Sequence, residues 1–416
     1  MKHPLGLALL LLMLGGSAQA EPLPGASVES LLVIAREGSA DYRLSRLEAD
    51  AARERIQPAG ALPDPMLRIE LENITRNGNQ SATLNPSRVG DTKYTLLQPL
   101  PFWGKRDLKR EVAAADAAQA DGRTADTWTG VASRIKSLYA QYWLTSKSLR
   151  LTTENIDLTD RLEKMAQVRY ANGLAAQQDA IRAQVERSNL ETEQLGMEAD
   201  YRQLSASING MLARSGQSGL AEPEALRPLP ASLDAAKLTE RLQRHNPQLA
   251  IEAARIGGAE KSRELAYRNR YPDFALGTSS MQVGDKIDTW GLMLEIIIPL
   301  QQGTRRSQER EAERTLDAAA ARQEAIGYRL RSELSGALAN LDIARKTEQV
   351  TRTRLLPQAQ LTFSAALAGY ENGKVDFATL LDAQRQIRNA KQTLLRVQAN
   401  QQIRLAEIER LLGEDL

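Results

Sequence analysis

Side chains that commonly carry chemistry are scarce in this sequence. Its 416 residues include no cysteine, and histidine occurs only at His3 and His245. Thiolate catalysis, disulfides and thiolate metal sites are thereby excluded. Imidazole catalysis and imidazole metal binding have almost nothing to work with. His245 stands in a His-Asn-Pro stretch, a turn or helix start, and is expected to face solvent or to cap. No Gly-rich phosphate loop or nucleophile elbow is present, and no Met or His cluster suggests a relay for soft metals. The pair best placed for acid–base work is Glu70 and Glu72. Spacing of two puts both on one face of a strand, where they more simply line a wet surface. No enzyme activity, cofactor or resident metal is expected.

Composition narrows the class further. The chain is 42% hydrophobic and 25% charged, so it can bury a core. Aromatics are only 4%, fewer than a globular enzyme of this size usually needs for buried area. The net charge of +2 gives no reason to expect a nucleic-acid partner. Lys2 and His3, then the apolar run Leu5 to Leu14, then Ala18-Gln19-Ala20, read as an export signal over residues 1–20, with Glu21 first in the mature chain. A lipid anchor would need a cysteine there, so the mature protein is expected not to be lipidated. No later stretch is apolar over the ~18 residues of a membrane helix.

The elements that must position whatever function exists come in two copies. At an offset near 200, Tyr170-Ala171-Asn172-Gly173 matches Tyr370-Glu371-Asn372-Gly373, Pro99-Leu100 matches Pro299-Leu300, and Gly104-Lys105-Arg106 matches Gly303-Thr304-Arg305 one residue out of step. Pro63-Asp64 corresponds to Pro272-Asp273, and Asn209 to Leu212 falls where Glu409 to Leu412 closes the chain. Each copy reads as a helix (27–58; 234–270), a strand pair, a very long helix (105–168; 304–368), an Asn-Gly reversal and a returning helix (175–213; 376–412). The expected organisation is a first repeat over 21–213, a linker over 214–232 broken by Gly216, Gly219, Pro223, Pro228 and Pro230, and a second repeat over 233–416.

The strand pairs, about 65–100 and 272–299, alternate apolar and polar residues. Leu67, Ile69 and Leu71 interleave with Arg68, Glu70 and Glu72. Residues 76–91 read as an exposed loop. Tyr94 and Leu96 are expected to begin the return strand, and Pro99 and Pro101 to stop it. Copy two sends out Phe274, Leu276 and Thr278 and returns through Trp290, Leu292, Leu294, Ile296 and Ile298. The strands have the length that a tilted strand needs to cross a bilayer. Four strands cannot close a barrel, and open edges in hydrocarbon leave backbone groups unpaired. Several chains would have to pool them, and three would supply about twelve strands around a lumen. Phe102, Trp103, Tyr271 and Phe274 fit an aromatic girdle at the membrane interface.

The first long helix would run roughly 95 Å at 1.5 Å per residue, which points to a rod or tube. After the second reversal, Leu380, Ile387, Leu394, Gln401 and Ile408 form one stripe, and Ala383, Ala390, Val397, Arg404 and Leu411 a second. These are the a and d positions of helices wound around a partner. Gln401 and Arg404 interrupt the stripes, as suits helices that border water. The Asn-Gly pairs at 170–174 and 370–374 supply the positive φ that ends a helix and reverses the chain.

Three stretches carry a resemblance. They are Leu62-Pro63-Asp64-Pro65-Met66, the run from Gln98 through Pro101-Phe102-Trp103-Gly104 to Arg106, and Tyr370-Glu371-Asn372-Gly373 followed by Leu380-Leu381-Asp382-Ala383. With the repeat, the chain resembles the TolC-like outer-membrane factors over nearly its whole mature length. The first two stretches look most like the branch serving heavy-metal (cobalt–zinc–cadmium type) resistance-nodulation-division pumps. The resemblance implies a mainly α fold with a small β part, in which antiparallel coiled-coil hairpins form an α-barrel. It implies a homotrimer whose twelve-stranded barrel sits in outer-membrane lipid, with the α-barrel in the periplasm. The tips, at Asn172, Gly173, Asn372 and Gly373, would meet a periplasmic adaptor and, through it, an inner-membrane pump. Such a channel is a passive duct.

The family closes its periplasmic end with Tyr, Arg and Asp near the second tip. Tyr370 and Asp382 occupy the Tyr and one Asp position, but Val375 stands at the Arg position and Thr379 at the other Asp position. Lys374 and Asp376 flank the site as substitutes. Three copies of Asp382 at a constriction would attract cations. An outer-membrane channel for drugs or for type I secretion is the nearest alternative. A periplasmic adaptor or a structural coiled coil is a further one, disfavoured by two equal hairpins and membrane-length strands.

Overall fold

The computed structural model describes residues 23–75 and 82–416. The export signal and the part of the first loop at 76–81 lie outside the described residues. Among those described, the chain is mainly α with one four-stranded sheet, and no helix is long and apolar enough to cross a membrane.

The sheet is antiparallel in the order β1 (Met66–Glu72), β2 (Asp91–Leu100), β3 (Asp273–Val283), β4 (Lys286–Ile297). Residues paired across an antiparallel ladder share a face. The register therefore aligns Leu67–Leu96–Thr278–Leu292, Ile69–Tyr94–Ser280–Trp290 and Leu100–Phe274–Ile296 on one face. Arg68–Thr95–Ser279–Gly291 and Glu70–Lys93–Met281–Thr289 lie on the other. The return strand starts at Asp91, three residues earlier than expected, and continues through Pro99 rather than stopping there. Pro99 is tolerated because β1 pairs only as far as Leu97, so the missing N–H breaks no β1 ladder bond.

Each strand is continuous with a helix. α4 (Lys105–Ala171) follows β2, and its 67 residues span ~100 Å. α8 (Gln302–Val350) follows β4. The single helix expected over 304–368 is interrupted by a π-helical turn, Thr351–Leu355, before α9 (Leu356–Glu371). Pro357 accounts for this, since it lacks an N–H and its ring clashes with the preceding turn. The shorter helices are also broken. Residues 27–58 form α1 (Val28–Gly38), α2 (Ala40–Glu54) and α3 (Ile56–Ala59), because Ser39 caps α2. Residues 234–270 form α6 (Ala235–His245) and α7 (Pro247–Arg268). The cap there is Asn246, whose side chain accepts from Gln248 and Leu249 backbone N–H groups, with Pro247 at the first turn. His245 instead sits 3.1 Å from Glu414.

The returning helices are α5 (Gln177–Met211) and α10 (Phe377–Leu412). Near the sheet the lateral order is α2, α4, α7, α8; toward the tips it is α5, α4, α10 and then α8 continued by α9. Leu380, Ala383, Ala390, Ile408 and Leu411 of the two stripes are buried. Gln401 is buried too, contrary to the expectation that it borders water. Its amide donates to Glu348 at 2.7 Å and ties α10 to α8.

The linker 214–232 straps the helices together. Arg227 makes two hydrogen bonds to Glu409 (3.1 and 2.9 Å), Lys136 donates to Glu409 at 2.7 Å and also pairs with Asp415, and Glu409 itself is 3% exposed. The buried Tyr139 hydroxyl lies 2.7 Å from the Ala26 carbonyl and 3.0 Å from that of Ala225. Burial, helped by Glu29 and Glu224, pushes its pKa up to about 12. An unfolded tyrosine titrates near ~10. The neutral hydroxyl's contribution is therefore complete below pH ~10 and drains away as pH rises through the folded value, by about 2–3 kcal/mol. Unfolding midpoints at about pH 8 and about pH 11 are expected to diverge less in Tyr139→Phe than in the unchanged chain; an equal divergence would exclude this source.

Candidate functional site: hairpin tips and sheet face

Both tips close by the same backbone device. Gly173 and Gly373 take φ of +70° and +69°. Gly173 N–H donates to Tyr170 and Leu174 N–H to Arg169; Gly373 donates to Tyr370 and Lys374 to Gly369. This is the Schellman pattern, which satisfies the last carbonyls of a helix. The Asn172 and Asn372 amides donate to the Val168 and Ala368 carbonyls (2.7 and 2.8 Å). Both asparagines are thus engaged in ending their own helices.

The second tip is built from both repeats. Tyr370 is 3% exposed and packs with Phe377, Leu162, Ala183 and Leu380. Arg169 of the first tip places its guanidinium 5.0 Å from the Tyr370 ring centroid and donates to the Glu371 carbonyl at 2.7 Å. Asp179, at the start of α5, lies 3.5 Å from the Tyr370 hydroxyl. Burial first, and Asp179 second, raise the Tyr370 pKa, so this hydroxyl stays protonated. Arg169 and Asp179 of the first hairpin thus both approach the Tyr370 ring of the second. In the repeat, at an offset of 200, Arg169 aligns with Gly369 and Asp179 with Thr379. The two tips differ where one supplies what the other lacks.

The flanking substitutes do other work. Asp376 caps α10, accepting from the Thr379 N–H at 2.9 Å; the Thr379 side chain first, and its N–H second, hold the carboxyl below the usual range. Lys374 makes no salt bridge among the described residues. Val375 packs onto Gly369, where a Cβ would come within 2.5 Å of its methyl. Asp382 is 67% exposed, with Arg385 of its own helix 3.5 Å away. Sequence reasoning missed the stronger link next to it. Glu186 of α5, almost fully buried, accepts from Arg385 at 2.5 and 3.2 Å, with Arg388 at 3.6 Å. This cluster fastens the hairpin of one repeat to that of the other.

At the opposite end, the four interface aromatics meet. Phe102 stacks on Tyr271 (4.6 Å, 8°), Trp103 meets Phe102 edge-on (5.3 Å, 81°) and lies 5.8 Å from Phe274. Asp273 pins the junction, accepting from Phe102 N–H and the Lys105 ammonium, both at 2.8 Å. Above them the apolar sheet face stands open: Leu292 is 82% exposed and Trp290 73%. Glu70 lies on the other face, 3.8 Å from Arg68. The two outer strands, β1 and β4, each have one side unpaired among the described residues.

The family model described as outer membrane efflux protein matches residues 31–214 and 238–414. The sequence is similar to the cobalt-zinc-cadmium resistance protein CzcC of Cupriavidus metallidurans, 24% identical over 402 residues that cover 93% of this chain and 90% of that protein. It is also similar to the pyoverdine export outer membrane protein OpmQ of Pseudomonas putida, 22% identical over 407 residues (90% and 83%). Among solved structures, the fold matches CusC with a TM-score of 0.82 at 18% identity, covering 94% of this chain and 93% of that one. It matches VceC of Vibrio cholerae at 0.79 and 16%, covering 93% and 96%.

Proposed function

The chain belongs to the outer membrane efflux protein family, and on that premise we propose that three copies form the outer-membrane duct of a tripartite exporter for heavy-metal cations. The observation that carries the assembly is the sheet, with an exposed apolar face and two open edges. In hydrocarbon those edges must be paired. β1 and β4 run antiparallel to each other, so β4 of one copy can join β1 of the next and keep the alternation. Three copies give twelve strands, enough for a lumen. The flanks agree. Leu44, Leu47, Ile181 and Val185 are exposed on α2 and α5, and Tyr328, Ile343 and Leu361 on α8 and α9, so neighbouring copies cover apolar surface along the whole barrel.

On this reading the protein sits in outer-membrane lipid, with its helices in the periplasm. The tips reach a periplasmic adaptor and, through it, an inner-membrane resistance-nodulation-division pump that supplies the energy. The duct conducts and does not catalyse. The heavy-metal assignment is supported by the similarity to CzcC over 93% of the chain. A second reading, export of an organic substrate, is favoured by the OpmQ similarity. Deletion in the host separates them. Sensitivity to zinc, cobalt and cadmium with unchanged drug tolerance supports the metal reading, and the reverse pattern overturns it.

At the periplasmic end, the ring of three Asp382 carboxylates would select cations, while the Glu186–Arg385–Arg388 cluster holds adjacent hairpins together. Asp382→Ala is expected to lower cation preference in planar bilayers, and Glu186→Gln to raise single-channel conductance by loosening α5 from α10. Unchanged conductance and selectivity in both variants would remove the gate from this tip.

A further inference from the structure

We propose that a groove at the helix end of the apolar sheet face binds one anionic glycerophospholipid from the periplasmic leaflet of the outer membrane. The inference rests on the membrane reading of the sheet. The groove has a volume of about 560 Å³. Its wall is formed by Leu100, Phe274, Leu276 and Leu294, all on the apolar face by register, and by Trp103, which is 74% exposed. It therefore continues the surface assigned to lipid, and an acyl chain is the apolar partner available there.

Charge distinguishes this groove from the rest of that face. Arg106 lines it at the aqueous end, and a Cβ on Gly104, another lining residue, would stand 3.9 Å from Nε of Arg268. Arg106 donates only its Nε, to the Gly60 carbonyl at 2.9 Å. Neither arginine meets a carboxylate within salt-bridge distance among the described residues. Asp107 also lines the groove, but Arg110 holds its carboxylate at 2.8 Å. Arg106 thus lines an apolar slot at the membrane boundary without a carboxylate partner, and Arg268 stands just behind Gly104, on the side of a neighbouring pocket that Glu264 and Glu313 also line. A guanidinium fork matches phosphate oxygens two at a time, and basic pockets at the membrane surface recognise anionic headgroups. In a zwitterionic lipid the headgroup ammonium opposes the same arginines. The aromatic cluster fixes the depth, because such rings settle at the headgroup level.

Tryptophan quenching by acyl-brominated lipids tests this in the full mature assembly in bilayer nanodiscs, because Trp103 and Trp290 report different places. With Trp128 and Trp143 of α4 replaced by Phe throughout, Trp103→Phe leaves Trp290 on the open face, and Trp290→Phe leaves Trp103 in the groove. A minor fraction of brominated phosphatidylglycerol in phosphatidylcholine is expected to quench Trp103 more strongly than the same fraction of brominated phosphatidylcholine. Quenching of Trp290 should follow total bromine regardless of headgroup. The double variant Arg106→Gln/Arg268→Gln should weaken the preference at Trp103 about tenfold or more, the effect of losing a charge-assisted contact. Equal quenching of Trp103 by both lipids, survival of the preference in the double variant, or a Trp103 shielded from every lipid by a protein neighbour each overturns the proposal. A Trp290 that no brominated lipid quenches overturns the membrane reading instead.

Discussion

Glu409→Gln is expected to destabilise the folded chain by about 3 kcal/mol, seen as a lower midpoint for loss of helical circular dichroism in detergent. Glu409 lies almost fully buried between Lys136 and Arg227. Neutralising it leaves the Lys136 ammonium, only 4% exposed, facing a dipole in place of a charge. Breaking a buried pair in this way typically costs ~3–5 kcal/mol. The low end applies because Asp415 also reaches Lys136 and because Arg227, at 18% exposed, can turn toward water. A second variant separates charge from packing. Lys136→Met/Glu409→Leu removes both buried charges, and well-packed apolar replacements of buried pairs are often neutral or better. The double variant is expected to recover most of the loss. If it is as unstable as the single variant, what matters is the polar geometry joining linker, α4 and α10, and not charge balance.

The second large effect is on the sheet. Leu292→Arg places a cation near the middle of β4 on the apolar face. At the bilayer midplane such a change costs ~2–4 kcal/mol per chain, and three copies compound it to ~6–12. Thr289→Arg, three residues away on the opposite face, meets the lumen and should cost little. The expected contrast is loss of folded, membrane-extracted oligomer for Leu292→Arg with near-normal yield for Thr289→Arg. Equal yields would mean that the apolar face does not meet lipid. The same contrast should appear in metal tolerance when the two variants are returned to a deletion strain.

Local signals made much of this architecture legible. The alternation at Leu67, Ile69 and Leu71 gave a strand and its faces, the Asn-Gly pairs gave the reversals, and Ala383, Ala390 and Leu411 gave the buried stripe of α10. Errors fell where a local rule met a tertiary one. Pro99 should stop a strand, yet it sits where β1 no longer pairs. The helix over 304–368 was expected to run unbroken, yet Pro357 interrupts it and a π turn absorbs the break. Gln401 looked like a water-facing break in a stripe, but Glu348 on another helix satisfies it in the interior. The tip was half legible for a related reason. A motif aligned along one hairpin names Tyr370 and Asp382, whereas Arg169 and Asp179 reach Tyr370, and Glu186 reaches Arg385, through space from the other hairpin. Pairings across the repeat appear only when each copy is read as the complement of its twin.

The shared barrel is the claim on which duct, gate and lipid groove all depend. Its most direct test is the native mass of the mature protein extracted from membranes. Stoichiometry of three chains, soluble only in detergent or a lipid disc, is the predicted result. A monomer that stays dissolved in plain buffer, its Leu292 and Trp290 face in water, would contradict it.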